Sequence, residues 1–264
     1  MYTLGIDIGS TSSKAVVLEN GTNIVNTALV TVGTGTSGPM QVLEKVFANQ
    51  TFQRTDIAKT VVTGYGRMSL KEADKQISEL SCHARGVHFF FPRAKTVIDI
   101  GGQDAKALKL DQRGMLLNFA MNDKCAAGTG RFLDVMAHVL ETDVAELGSL
   151  SLKAEKAAGI SSVCTVFAES EVISHLSRGT ETEEIIAGIH HAVAQRVGTL
   201  VHKVGIEDDV VMTGGVGQNI GVVKALEHVI KTRIKVSDMP QYTGAIGAAI
   251  YAFDEVEKEN RKRC

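Results

Sequence analysis

DIGSTSSKAVVL, residues 7–18, and DIGGQDAKALKL, residues 99–110, are two versions of one segment set 92 positions apart. Asp, Ile, Gly, Lys, Ala and Leu recur in register at six of the twelve positions. Because the match keeps both the DIG turn and the apolar alternation around it, it indicates internal duplication. Each version reads as a strand that ends at DIG, a tight turn of small residues, and a second apolar strand.

The neighbouring segments extend this reading. YTLGIDIG (2–9), KAVVLEN (14–20) and NIVNTALVTV (23–32) are successive strands, MQVLEKVFANQ (40–50) has helical spacing, and TVVTGYG (60–66) is a further strand. The spacing from Ala73 to Phe91 predicts an amphipathic helix. After the second DIG come a strand at 116–123, helices beginning after Cys125 and Cys164, and a long helix over about 182–203. DVVMTGG (209–215) and IKVSD (234–238) read as strands, with helices starting near 219 and 243. This order predicts a mixed-sheet α/β protein with two related halves, 1–94 and 95–242, joined by a compact crossover near 90–95.

The 264 residues are 44% hydrophobic and 22% charged, a composition that suits a buried core rather than a disordered chain. A net charge of −2 carries no global signature of nucleic acid or an anionic membrane as partner. No apolar run approaches the roughly 18–20 residues that span a bilayer. The opening MYTLGIDIG lacks the basic and apolar regions of a signal peptide, so a cytoplasmic location is expected. There Cys82, Cys125, Cys164 and Cys264 are expected as thiols, metal ligands or catalytic groups rather than disulfides.

Each DIG turn has the small residues that an anion-cradling loop requires. In the first, Gly9, Ser10, Thr11, Ser12 and Ser13 offer backbone N–H groups and hydroxyls with little bulk. Asp7 suits a water-mediated contact to Mg²⁺, and Lys14 can face phosphate. A third cluster, TGGVGQN (213–219), follows a strand and opens a helix. Its glycines Gly215, Gly217 and Gly221, with Asp238 beyond them, approximate a dinucleotide turn, but the spacing is GxGxxxG. The GTGTSGP stretch (33–39) has Pro39 where a P-loop needs lysine.

Two DIG loops and a late GG loop resemble the acetate kinase, sugar kinase, Hsp70 and actin superfamily. The resemblance implies two ribonuclease-H-like domains that bind ATP and Mg²⁺ between them. Residues 7–14 would be the first phosphate loop and 99–104 the second, the latter including Gly101, Gly102 and Asp104. Gly214, Gly215 and Gln218 would lie against the adenosine. The closing helix, 243–264, would cross back onto the first domain. Asp99 and Gln103 would position the attacking water, with Asp104 near the metal.

NDKCAAGTGRF (122–132) and SSVCTVFAESE (161–171) each place a cysteine at an expected helix start. A helix N-terminus favours thiolate, and Ala126, Ala127, Gly128 and Gly130 leave amides open to cluster sulfur. Ser161, Ser162 and Thr165 are similarly placed around Cys164. Against this, free cysteines commonly serve as small core residues, and two ligands are half of a usual iron–sulfur or zinc set. Two from each of two symmetric copies would complete it.

DIGGQD, MNDKCAAGTGRFLDVMA, CTVFAESEVISHL, IAGIH and VVMTGGV resemble, over nearly the whole chain, the activator components of 2-hydroxyacyl-CoA dehydratases and related benzoyl-CoA reductase ATPases. That resemblance implies a homodimer with one [4Fe–4S] cluster on Cys125 and Cys164 of each copy. It further implies a one-electron donor, driven by ATP hydrolysis, that acts on the dehydratase and is recharged by ferredoxin or flavodoxin. A small-molecule kinase with structural cysteines, and a nucleotide sensor without metal, are the alternatives. For a kinase, the discriminating feature is an acceptor pocket with a catalytic base, and no motif for one stands out.

The remaining candidates carry simpler readings. Glu169 and Glu171 suit the first turns of the helix after Cys164, and Lys124 and Arg131 flank the Cys125 segment. TGYGR (63–67) is too glycine-rich for a plain strand end, with no role assigned to Arg67. The eight histidines show no ligand spacing, and His190–His191 reads as a helix face. Cys82 and Cys264 read as free thiols, the latter in a charged tail.

Overall fold

The computed structural model describes residues 1–161 and 164–263, so Ser162 and Cys264 lie outside the described residues. The chain divides into two units, one of residues 1–93, 110–116 and 241–264, the other of residues 94–109 and 117–240.

In the first unit, β-branched runs pair as β1 (Tyr2–Ile8), β2 (Ser13–Glu19) and β3 (Asn23–Val30), each antiparallel to the next. Pro39 sits in the first turn of α1 (Gly38–Phe47), where its fixed φ is compatible with the helix. Then come β4 (Ile57–Thr63), parallel to β1, and the two-residue β5 (Lys75–Gln76), parallel to β4. The helix α2 (Glu79–Phe90) follows.

The expected helix from Ala73 therefore starts six residues late. The Asp74 carboxylate accepts the Thr60 amide at 2.7 Å, and the Asp74 amide donates to the Thr60 carbonyl at 3.0 Å. This pairing draws Lys75 and Gln76 onto the edge of the sheet, overriding their helical preference.

The second unit repeats the plan with β6 (Thr96–Ile100), β7 (Ala105–Leu110) and β8 (Leu116–Asn122). Helices α3 (Gly130–Val139), α4 (Leu147–Ser151), α5 (Thr165–Ser177) and α6 (Thr182–Val204) follow, then β9 (Val210–Thr213), α7 (Ile220–Ile230) and β10 (Ile234–Val236). The sheet orders are β3-β2-β1-β4-β5 and β8-β7-β6-β9-β10, so the duplication inferred from twelve residues extends to the whole topology. The sequence repeat survives at DIG because both copies need that turn, while the flanking strands need only alternation. The second core joins Ile98 and Ile100 of the sheet to Phe132, Ile189, Val193 and Leu226 of the helices.

The last helix, α8 (Thr243–Arg263), packs in the first unit through Ala245, Ile246, Ala249 and Ile250 against Val16 and Leu18. It lies so close to β1 that a Cβ on Gly5 would overlap the Ala245 carbonyl and Ala249 amide. Among the described residues, no helix is long and apolar enough to cross a membrane.

Candidate functional site

Asp7, next to last in β1, stands in register opposite Lys14 of β2, with Nζ 3.5 Å from Oδ2. Asp7 is only 4% exposed, and its Oδ1 is buried with no hydrogen-bond partner. The turn closes on itself through the Gly9 amide, which donates to the Ser12 carbonyl at 3.0 Å. Ser10 and Ser12 are half-buried and Thr11 is exposed, so the tip of the loop is open to solvent.

Two other glycine-rich segments are built onto this loop. The Thr34 amide donates to the Gly9 carbonyl at 2.9 Å, and Gly66 donates to Ile8 at 2.8 Å. Gly64, at φ +89°, ends β4 against Asp7, where a Cβ would collide with the free Oδ1. TGYGR thus walls the Asp7 carboxylate, and Arg67 folds back with Nη1 3.1 Å from the Gly64 carbonyl. A buried carboxylate oxygen without a donor suits a ligand that brings one, as a hydrated Mg²⁺ does.

The second DIG loop has the same register but a different electrostatic state. Asp99 faces Lys106 across the β6–β7 ladder, as Asp7 faces Lys14. Lys106 is 1% exposed, 3.2 Å from Asp99 and 2.9 Å from Asp104, while Thr213 donates to the other Asp99 oxygen at 2.7 Å. Sequence reasoning did not single out Lys106 or Thr213, although a lysine seven residues after the aspartate recurs in both copies. Replacing Lys106 with Met is expected to cost about 3–5 kcal/mol by taking the lysine counter-charge from the buried Asp99 carboxylate. Urea unfolding reads this directly, and a loss below roughly 1 kcal/mol would contradict the assignment.

Around this buried cluster, Gly101 and Gly102 are half-buried and Gln103 is exposed. The Gly101 amide donates to the Asp104 carbonyl at 2.9 Å, closing the loop. Gly214, at φ +83°, brings the GG turn against Ile100, where any Cβ would overlap the Ile100 carbonyl. Gly215 and Gln218 lie exposed on a short 3₁₀ turn after it. The second unit therefore gathers Asp99, Gly101, Gly102, Gln103, Asp104, Gly214, Gly215 and Gln218 around the C-terminal ends of β6 and β9. Gly221 serves packing, since a Cβ there would strike Ser151 and His190.

Cys164 is the N-cap of α5 and makes no side-chain capping bond. The hydroxyl oxygen of Thr165, directly after it, is buried with no hydrogen-bond partner. Glu171 turns back from the second turn of α5 to accept the Ser161 amide. Cys125 departs from expectation, because α3 begins at Gly130 with Thr129 as its N-cap. Asn122 holds the intervening turn by donating to the carbonyls of Cys125 at 2.8 Å and Ala127 at 3.1 Å, and Gly128 reverses the chain at φ +86°. The Cys125 thiol therefore sits on a pinned turn, not at a helix dipole.

Both cysteines are free and half-buried, whereas Cys82 is fully buried. Burial, reinforced by the Asp7 and Glu79 charges, pushes the Cys82 thiol up to about 12, so it is a core residue. Two accessible thiols and an orphaned hydroxyl fit half of a metal–sulfur centre.

A model of the BadF/BadG/BcrA/BcrD ATPase family matches residues 4–252. The chain is 62% identical over 262 residues, 99% of its length and 98% of the relative's, to the 2-hydroxyisocaproyl-CoA dehydratase activator of Clostridioides difficile. It is 57% identical over 259 residues to the (R)-2-hydroxyglutaryl-CoA dehydratase activating ATPase of Acidaminococcus fermentans, covering 98% of this chain and 99% of that one. A solved structure of the activator of the 2-hydroxyisocaproyl-CoA dehydratase from Clostridium difficile with bound ADPNP superposes with a TM-score of 0.97 at 60% identity, covering 99% of this chain and 98% of that one. A ROK family glucokinase from Streptomyces griseus shares the fold alone, with a TM-score of 0.62 at 11% identity over 96% of this chain and 100% of the other. The duplicated sheets, the loops at their strand ends and a match across 4–252 agree: the chain belongs to the BadF/BadG/BcrA/BcrD ATPase family.

Proposed function

We propose that the protein is an ATP-driven, one-electron activator of a 2-hydroxyacyl-CoA dehydratase. In this reading it works as a homodimer with one [4Fe–4S] cluster held by Cys125 and Cys164 of each copy. A reduced ferredoxin or flavodoxin is its electron source.

The observation that carries this reading is a joint in the second unit. The carbonyls of Gly101 and Gly102 accept the Gly130 and Arg131 amides at 2.9 and 2.8 Å, so the DIGGQD loop itself holds the start of α3. Cys125 lies on the turn leading into that helix. A loop that closes on phosphate thus pulls on the segment bearing a cluster ligand, and nucleotide state shifts the population of that segment. Val166 and Phe167, directly after Cys164, are 66% and 63% exposed, apolar surface suited to a partner.

Each residue then has a task. The amides of Ser10, Thr11 and Ser12, on the turn that Gly9 closes, cradle phosphate, with Lys14 offsetting its charge, and Asp7 holds hydrated Mg²⁺. Asp99, clamped by Lys106 and Thr213, sets the second loop, from which the exposed Gln103 orients the attacking water. Gly214, Gly215 and Gln218 take the adenosine. Bound to the cysteines, the cluster supplies a one-electron couple of low potential.

The test is anaerobic reconstitution with a cognate dehydratase, a chemical reductant and γ-labelled ATP. Label is expected in inorganic phosphate, in step with dehydratase activation. Label transferred to a small-molecule acceptor would favour the kinase reading, and activation without ATP would overturn the coupling.

A further inference from the structure

Behind the GG turn lies a polar chain that nucleotide chemistry does not touch. His190 of α6 is 1% exposed, with Nδ1 2.9 Å from Ser151 Oγ and Nε2 3.3 Å from Asn219 Nδ2. Asn219 closes the 3₁₀ turn and caps α7, its Oδ1 accepting the Val222 amide at 3.1 Å.

These contacts fix every hydrogen. Since Asn219 Oδ1 is occupied by a backbone donor, its Nδ2 must face the ring, and Nε2 must accept. The proton is therefore on Nδ1, which donates to Ser151, and Ser151 passes its own hydrogen to the Gly148 carbonyl at 3.0 Å. Burial pushes His190 down to about 4, which keeps the ring neutral and the acceptor in place. The space is reserved by glycines: a Cβ on Gly221 would strike Ser151 and the ring, and one on Gly148 would stand 3.0 Å from Asn219 Oδ1. Protonation or the other tautomer would set donor against donor at Asn219.

We propose that His190 is a positioning residue for the nucleotide, tying Asn219, and through it the turn bearing Gly215 and Gln218, to α6. The inference rests on the reading above that this turn takes the adenosine. The ring acts only through Asn219, which gives it a signature that general packing lacks.

The experiment measures binding of a fluorescent N-methylanthraniloyl ATP to the full chain for wild type, H190F, N219A and the double variant. Phenylalanine keeps an aromatic ring, slightly larger than imidazole, and removes both hydrogen bonds, so H190F is expected to bind roughly tenfold more weakly. The double variant is expected to bind no more weakly than N219A alone. Wild-type affinity in H190F, or additive losses in the double variant, would overturn the proposal. Should H190F fail to fold, S151A removes the acceptor of the ring's Nδ1–H, together with the Ser151–Gly148 hydrogen bond, and leaves the ring itself in place. It is expected to weaken binding and to change the Nδ1–H signature seen by ¹⁵N NMR, and a changed tautomer with unchanged affinity would overturn the proposal. A wild-type chain that binds no ATP analogue would instead sink the reading of the turn, and this inference with it.

Discussion

Asp7→Ala is expected to reduce ATP hydrolysis by at least about a hundredfold while leaving iron content and fold unchanged. The reason lies in the contrast between the two DIG aspartates. Asp99 is neutralised by Lys106 and hydrogen-bonded by Thr213, as a carboxylate held in a dry environment must be. Asp7 has one loose ion pair at 3.5 Å and an oxygen with no donor. Such an oxygen destabilises the nucleotide-free fold, so removing it is expected to leave the unfolding free energy unchanged or slightly raised. Loss of function without loss of stability marks a group kept for its ligand. Steady-state phosphate release and urea unfolding on the same preparation test both halves. Turnover within tenfold of wild type, or a stability loss above roughly 2 kcal/mol, would count against the assignment.

Cys125→Ala is expected to remove most of the bound iron and, with it, ATP-dependent activation of the dehydratase, while ATP analogue binding persists. If each copy supplies two of four thiolates, one substitution removes two ligands from the assembled centre, and three-quarters or more of the iron should be lost. The dimer should weaken in parallel, since the shared centre is part of what joins the copies. Cys82→Ala is the control: its thiol is fully buried and raised to about 12, so iron should be unaffected. Iron and sulfide analysis, with sedimentation under strict anaerobiosis, provides the readout. A colourless wild-type protein that remains a tight dimer would remove the cluster from the mechanism altogether.

Much of the fold was legible because alternation and turn chemistry are local. The strands at 2–8, 13–19 and 23–30 and the long helix at 182–204 follow from residues near one another in the chain, and the repeated DIG segment announced the two related halves. The misreadings each occur where a distant or side-chain contact overrides the pattern. Residues 73–78 looked helical, but Thr60 pairs with Asp74. The Cys125 segment looked like a helix start, but Asn122 folds it into a turn first. His190 looked like one more polar position on a helix, because periodicity does not reveal that the cap of α7 arrives at its ring.

The sequence by itself determined the two DIG loops, their equivalence, the placement of Cys164 at a helix entrance and the resemblance to an activator ATPase. These are matters of residue type at short spacing, where backbone geometry leaves few alternatives. Only the tertiary structure decided that the two aspartates differ in state, one closed by Lys106 and Thr213 and one left open. It alone also showed that the DIGGQD loop grips α3 beside Cys125 and that His190 meets Asn219, the cap of α7. Those facts depend on which polar atoms meet after burial, where an unmet hydrogen bond costs about 1–3 kcal/mol. Burial is a property of the folded chain, so the sequence pattern does not display it.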